Sequence, residues 1–358
     1  MIMQEGWDPY EDNLESAWDA FVQGHPLGRF IHLTGFKKSV EAVYKLRPNY
    51  WVYSQAGEVR AVFPSFFHKS ILYGKRLVSQ PFSEYGGILF SPGLEARRKL
   101  EILAEFPAVI EKSRQKGSFD YVEMRCFPEL EGLECGLFQK ESLYSYGTLR
   151  LDKNLDVWNH VDYSVRKNIK KARTSNLELQ AGRGAEEIKQ VFYPLHLRSL
   201  KRLGSPPHPL TYFLALQNNF KDRMMLFIAR HEGTPVSALL SWAVGSSVQI
   251  TDIVSDEKYF PLRGNDFLHF ELLQWAVSHG YKCFDFGPVR YPGQMRYKKK
   301  WGLEFHEYSY FYIPLRKMKK PLSDRSLLGR TASTAWKHLV PRGVAAKAGK
   351  FLRRELSL

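Results

Sequence analysis

The order of elements repeats along this chain, and that repeat limits the fold more than any single motif does. In the first half, residues 50–54 form an aromatic and β-branched run, Gln55-Ala56-Gly57 a turn, and residues 59–67 a second run, the pattern of two strands around a glycine turn. In the second half, residues 226–230, the turn His231-Glu232-Gly233-Thr234 and residues 236–244 give the same strand, turn and strand. Each hairpin and its following strands lead to a helix expected to end at a glycine, Gly117 and Gly280, because the residue after a helix often turns left-handed. A strand of matching chemistry follows each glycine: Phe119-Asp120-Tyr121 and Phe284-Asp285-Phe286. The offsets between copies differ, so the repeat is one of topology and not of sequence. The reading is a mixed α/β (α+β) chain of two units of one design, residues 1–145 and 146–315, with a softer border near Tyr146 and a basic segment at 316–358.

Length and composition agree with that division. A chain of 358 residues, 44% apolar and 14% aromatic, is large enough for two or three packed cores and too apolar to be disordered. Its three cysteines, Cys126, Cys135 and Cys283, are odd in number and lack C-x-x-C spacing, which indicates neither a disulfide framework nor a zinc site and suits a reducing cytoplasm. Residues 1–12 are acidic without an apolar core, and no run of about 18 apolar residues occurs, so neither a signal peptide nor a membrane span is expected. No metal is expected.

The net charge of +15 is unevenly spread. From Arg316 onward, twelve Lys and Arg face only Asp324 and Glu355, which leaves +10 in this segment. Leu327, Leu328, Ala332, Ala335, Trp336 and Leu339 have helical spacing, as do Val344, Ala348, Phe351 and Leu352 after Pro341, with Lys347, Lys350, Arg353 and Arg354 between them. Such helices either lie on an anionic membrane surface, placing the protein on the inner face of the membrane, or pack back on the body with charges outward. A nucleic-acid partner, tRNA or other RNA, is the third use of such charge, with a steep salt dependence.

The chemistry concentrates in the second unit. Leu268, Leu272, Trp275 and Ala276 mark one face of a helix, and Arg263-Gly264-Asn265 precede it, where glycine and free amides suit either a phosphate or a plain helix-entry turn. Upstream, Trp158, Val161, Val165, Ile169 and Ala172 give the apolar face of another helix whose remaining positions include Arg166, Lys167, Lys170, Lys171 and Arg173 without a local acid. Solvent or an anionic ligand must screen these five cations, and Tyr163 and Ser164 add neutral donors. Phe284-Asp285-Phe286-Gly287 places a carboxylate at the end of an apolar strand, and the stretch from Gln294 through Arg296, Lys298 and Lys299 to Trp301-Gly302 reads as a cationic hairpin. A carboxylate facing cations suits acyl transfer, in which an amine loses a proton while a carbonyl oxygen gains charge; it equally suits a turn-capping Asp beside a solvated loop. Other chemistries lack support: there is no G-x-S-x-G, no H-E-x-x-H, and the single G-x-G at Gly182 and Gly184 lacks a third glycine.

Taken in order, Arg166-Lys167-Asn168-Ile169-Lys170-Lys171-Ala172, Leu203-Gly204-Ser205-Pro206, residues 265–280, Phe-Asp-Phe-Gly and Tyr297-Lys298-Lys299-Lys300-Trp301-Gly302, with Pro81-Phe82-Ser83-Glu84-Tyr85-Gly86-Gly87 in the first unit, resemble the FemABX-like branch of the GNAT acyltransferase superfamily over about residues 15–315. The resemblance is nearest to FemAB-related proteins of exopolysaccharide and protein-sorting systems. It implies tandem GNAT-like domains and transfer of an acyl or aminoacyl group to an amine acceptor on a peptidoglycan, polysaccharide or other cell-envelope precursor. No tightly bound cofactor is implied; acyl-CoA and aminoacyl-tRNA are the alternative donors, and the acceptor is a nucleotide-linked or lipid-linked sugar or peptide. The chain lacks the coiled-coil arm of some bridge-forming enzymes, and Arg263-Gly264-Asn265 departs from the glycine-rich coenzyme A loop of simple GNAT enzymes. By the same resemblance Lys298 or Lys299 steadies the oxyanion and Asp285 is the family's strand-end acid. The candidate substrate-binding residues are Tyr85, Gly86, Tyr163, Arg166, Lys167, Lys170, Arg263, Asn265, Gln294 and Arg296. The rival reading is a GNAT-like module without catalysis that binds an anionic glycan, lipid or RNA.

Overall fold

A computed structural model of the protein describes residues 5–113, 119–126, 130, 136, 138–182, 184–316, 318 and 327–356. Gly117, Cys135 and Asp324 lie outside the described residues. The chain forms two compact units: Met1–Tyr144 with Glu307–Leu322 and Arg354–Leu358, and Ser145–His306 with Ser323–Arg353. The first border thus falls at Tyr144. Residues after 306 return to the first unit, and most of the segment after 322 joins the second instead of standing apart.

The first unit contains β1 (Gly6–Pro9), α1 (Glu15–Gly24), α2 (Thr34–Tyr44), β2 (Arg47–Pro48), β3 (Trp51–Gln55), β4 (Glu58–Phe63), β5 (Ser65–Ser70), β6 (Gly74–Ser79), β7 (Leu89–Phe90), α3 (Ala96–Ser113) and β8 (Tyr121–Cys126). β9 (Gln139–Arg150) leads into the second unit, which continues with α4 (Val157–His160), α5 (Tyr163–Thr174), β10 (Leu177–Gly182), α6 (Ala185–Glu187), α7 (Tyr193–Leu203), α8 (Leu210–Phe220), β11 (Met224–His231), β12 (Thr234–Val244), β13 (Ser247–Ser255), α9 (Gly264–Ser278), β14 (Cys283–Val289) and α10 (Pro292–Lys299). β15 (Glu304–Pro314) follows, then α11 (Leu327–Leu339) and α12 (Arg342–Leu356).

In the first unit, β1-β3-β4-β7 form one sheet and β15-β8-β6-β5-β2 lie in another, where β6 and β8 run parallel. The single strand expected over 59–67 is broken: Pro64 separates β4 from β5, which enter different sheets, since a residue without an N–H cannot continue a central ladder. Trp51, Phe63, Phe106 and Phe311 anchor this core. In the second unit the strand order is β10-β11-β12-β13-β14-β9, antiparallel except for β13 and β14. Both hairpins anticipated from sequence close through two left-handed residues, Ala56-Gly57 (φ 52° and 78°) and Glu232-Gly233 (φ 49° and 72°), the loop whose twist matches that of paired strands.

Helix α9 is buried around most of its girth through Phe267, Leu268, Phe270, Leu272, Leu273 and Ala276. Val165, Ile169 and Ala172 of α5 share its core cluster, but the single helix expected from Trp158 onward is broken: Trp158 lies in α4, and Val161 and Asp162 separate it from α5. Asp162 starts α5 by accepting from the Ser164 amide at 2.8 Å. Helices α11 and α12 pack on the second unit: Ser333 Oγ donates to the Gly204 carbonyl at 3.0 Å, Lys201 Nζ to the Trp336 carbonyl at 2.6 Å, and Arg353 Nε to the Pro206 carbonyl at 2.7 Å. Leu339, Val344 and Phe351 stay exposed. Among the described residues, no helix is long and apolar enough to cross a membrane.

Candidate functional site

The second unit opens where its two parallel strands part. β13 and β14 pair over three rungs only, Ser247 with Cys283, Val248 with Phe284 and Gln249 with Asp285. Beyond them β14 shifts register against β9 between Asp285 and Pro288. Gly287 makes this bend: its φ is +74°, and a Cβ there would stand 3.2 Å from the Ile250 carbonyl oxygen. Crevices beyond the carboxyl ends of parallel strands are preferred ligand sites, and here α9 begins beside the gap.

Of the acid and two lysines singled out from sequence, Asp285 and Lys298 hold the bend. Asp285 stands mid-strand, not at the strand's end, is fully buried, and accepts from the Gly287 amide at 2.8 Å. Lys298 is also buried; its Nζ donates to the carbonyls of Phe286, Gly287 (3.0 Å) and Pro288 (2.9 Å). Three successive carbonyls at the register shift thus take the three donors of one ammonium. The cationic hairpin expected over 294–302 is helix α10 followed by a turn. Pro292 opens it, and Gln294 Oε1 accepts from the amides of Arg290 (2.8 Å) and Tyr291 (3.3 Å). Lys299 and Arg296 are exposed.

A cleft of about 230 Å³ lies at the start of α9, lined by Ser237, Ser255, Asp256, Tyr259, Arg263, Gly264, Asn265, Asp266 and Tyr297 among others. Arg263, left-handed at φ 64°, precedes α9, and no side chain caps the helix, so its partly positive end faces the cleft through Gly264 and Asn265. Asn265 Oδ1 accepts from Ser255 Oγ at 2.5 Å. Two buried polar atoms in this lining have no hydrogen-bond partner, Asp266 Oδ1 and Ser237 Oγ. Burial raises the Asp266 pKa above the usual carboxylate value of 3.8, against the opposing pull of the Asn168 amide and the charges of Arg263 and Lys300. Beside it, burial first and the Asp266 charge second push the Tyr297 hydroxyl well up. That hydroxyl lies 3.3 Å from His269 Nδ1, which bonds the Asn265 carbonyl at 2.7 Å and therefore carries the proton. Burial drives His269 down to about 4, so the ring is neutral.

The structure brings Arg263 and Asn265 together in this cleft and distributes the other predicted residues elsewhere. Tyr163 is 71% exposed. Arg166 Nη1 donates to the Val161 carbonyl at 2.5 Å, Lys170 stands 5.8 Å from the Trp158 ring, and Lys167 is exposed. Arg173, read as lacking an acidic partner, pairs with Glu271 at 3.2 Å. Tyr85 and Gly86 belong to the first unit; Tyr85 is buried, and Gly86 donates its amide to the Arg125 carbonyl at 2.6 Å. Asp266, Ser237 and Tyr297 escaped the sequence reading, because an acid in a helix's first turn looks like an ordinary complement to the dipole. No cluster able to hold a metal ion occurs among the described residues.

A model of the acetyltransferase (GNAT) domain matches residues 159–299, which contain the whole cleft lining. Residues 159–299 thus form a GNAT domain, and the chain has the tandem fold of FemX-like proteins. FemX matches with a TM-score of 0.69 at 14% identity over 86% of this chain and 97% of that one. A tandem GNAT protein from the clavulanic acid biosynthesis pathway gives 0.55 at 12% identity, over 88% and 99%. L-PGS from Bacillus licheniformis gives 0.54 at 15% identity, over 94% and 98%. No curated protein matches the chain in sequence.

Proposed function

We propose that this GNAT protein is an acyl- or aminoacyltransferase that moves an acyl group from an activated ester or thioester to an amine on a cell-envelope or polysaccharide precursor. Acyl-CoA and aminoacyl-tRNA are the two donor classes. Asp266 carries the reading: a nearly buried carboxylate with one oxygen unpartnered, in an open cleft, at the cationic end of α9. A carboxylate whose burial raises its proton affinity is suited to take a proton near neutral pH.

In this scheme the amine nitrogen attacks the donor carbonyl carbon, and Asp266 takes the proton that the nitrogen sheds. The carbonyl oxygen gains charge facing the Gly264 and Asn265 end of α9, where donors aimed at developing charge are worth about 3 kcal/mol each. Collapse breaks the bond from carbon to the donor's oxygen or sulfur, and the leaving group receives the proton. Asp285 and Lys298 serve as positioning residues that fix the strand bend beside the cleft.

Incubation with acetyl-CoA or aminoacyl-tRNA and a nucleotide-linked amino-sugar peptide, followed by mass spectrometry of the acceptor, tests this directly. Asp266→Asn is expected to lower turnover by about 100-fold or more while circular dichroism stays unchanged. Because the base form is required, wild-type turnover falls on the acid side through a pKa above 3.8. Full turnover in the Asn variant would move the chemistry away from this cleft.

A further inference from the structure

A second cleft, of about 340 Å³, adjoins the first and shares Ser255 and Asp256 with it. Its cations come from two elements far apart in sequence. Arg198, Lys201 and Arg202 lie on one face of α7, and Lys337 and His338 come from α11. Four permanent cations thus meet two carboxylates, Asp256 and Glu257. Arg198 pairs with Asp256, but Arg202 reaches Glu257 only at 4.0 Å, and its Nε is shut off from solvent without a hydrogen-bond partner. The helix that brings Lys337 is held in place: Ser333 bonds the Gly204 carbonyl, and Gly204 (φ +74°) has no room for a side chain against Ser333. Lys201 spends a donor on the Trp336 carbonyl, one residue before Lys337. A surplus of cations around a cavity is unfavourable unless solvent or an anion screens it, and the Arg202 Nε is closed to solvent.

We infer that this cleft between α7 and α11 is an anion site for the phosphate or diphosphate group of the acceptor substrate, completed by the basic C-terminal segment. Arg202 and Lys337 supply the principal donors, since planar guanidinium groups grip phosphate oxygens and an ammonium adds a point charge. Its volume falls within the range of small-molecule sites. The shared wall at Ser255 and Asp256 lets one molecule place its phosphate here and its amine beside Asp266. This assignment rests on the transferase reading for the identity of the ligand, but the binding it predicts needs no turnover.

The test is calorimetric titration of the full chain with inorganic pyrophosphate and with uridine diphosphate, alongside flotation with phosphatidylglycerol and phosphatidylcholine vesicles. Both soluble anions are expected to bind, more weakly as salt rises. Lys337→Ala and Arg202→Ala are each expected to lower affinity about tenfold, as for loss of one charge-assisted bond, while Lys347→Ala does not. Unchanged thermal melts would show that α11 remains docked in the variants. Binding only to phosphatidylglycerol vesicles, lost in Lys337→Ala, would keep the anion site and identify the source as a lipid headgroup. No binding of any probe, or binding that neither variant weakens, would overturn the inference. Pyrophosphate binding without acyl transfer to any acceptor would sink the proposed reaction and leave this site standing.

Discussion

Among the described residues each unit contains one parallel pair of strands, and the two pairs are finished differently. In the first, β6 and β8 pair through Arg76 with Tyr121, Leu77 with Val122 and Val78 with Glu123. Glu123 is buried and bonded to Arg76 and, at 2.9 Å, to Arg125. Burial pushes its carboxyl up, but the two guanidinium groups outweigh this and hold it below the ordinary range. In the second, the third rung carries Asp285, tied to a backbone amide, and past it lies a cleft with two unpartnered polar atoms. One pair is closed by a satisfied ionic cluster. The other leaves hydrogen-bonding capacity unused, which native proteins seldom tolerate without a use for it.

The largest effect that would sharpen this contrast is expected from Glu123→Ala. It strands two buried cations and should cost about 4 kcal/mol, read as an early transition in urea unfolding. A loss under 1 kcal/mol would mean that the cluster is not what closes the first unit. Lys298→Met is next: three carbonyls of β14 lose their partner, for about 2 kcal/mol in the same assay. An unaffected midpoint would show water replacing the ammonium at no cost. Asp266→Asn should act in the opposite direction. Its folded-state pKa is raised, so the proton it would bind favours the fold, and that contribution is lost as pH rises through the folded value. Removing the charge should therefore stabilise the protein at neutral pH by about 1 kcal/mol, roughly 3 °C in melting temperature. A lower melting temperature would mean that the Asn168 bond and the nearby cations outweigh the cost of burying the charge.

The smallest expected effect is pH dependence from His269. Its pKa falls from 6.5 to about 4 on folding. The unfolded chain therefore binds more protons between those values, and stability present above 6.5 is lost as the solution is acidified. By pH 5.5 this should amount to about 1 kcal/mol, and a His269→Gln variant should show a flatter profile. An identical profile would place the acid sensitivity in other buried histidines, such as His32 and His68, both pushed down to about 3 chiefly by burial.

Local geometry was legible from sequence where one or two residues decide it. The loops at Ala56-Gly57 and Glu232-Gly233, the left-handed Gly280 after α9, and the buried stripe of Leu268, Leu272 and Ala276 are short-range consequences of glycine and periodicity. Misreadings came where a partner distant in sequence, or one residue read too lightly, decides. Pro64 divides what alternation presents as one strand, and Pro292 with Gln294 turns a supposed hairpin into a helix. The match of Asp120 with Asp285 fails in space: Asp120 precedes β8, and the acid on the third rung is Glu123. Spacing also cannot tell whether Lys298 points into a cavity or onto β14, and Asp266 gains its character only from burial among residues 237, 259 and 297.

The lysine clamp has a consequence for how this protein can change. Three successive carbonyls of β14 are gathered at the tip of a flexible four-carbon stem. Alongside the Gly287 turn and the Asp285 bond, the bend is therefore held by the reach of one side chain on a short helix. A single replacement on α10 can retune the mouth of the fold without rewriting any ladder of backbone bonds.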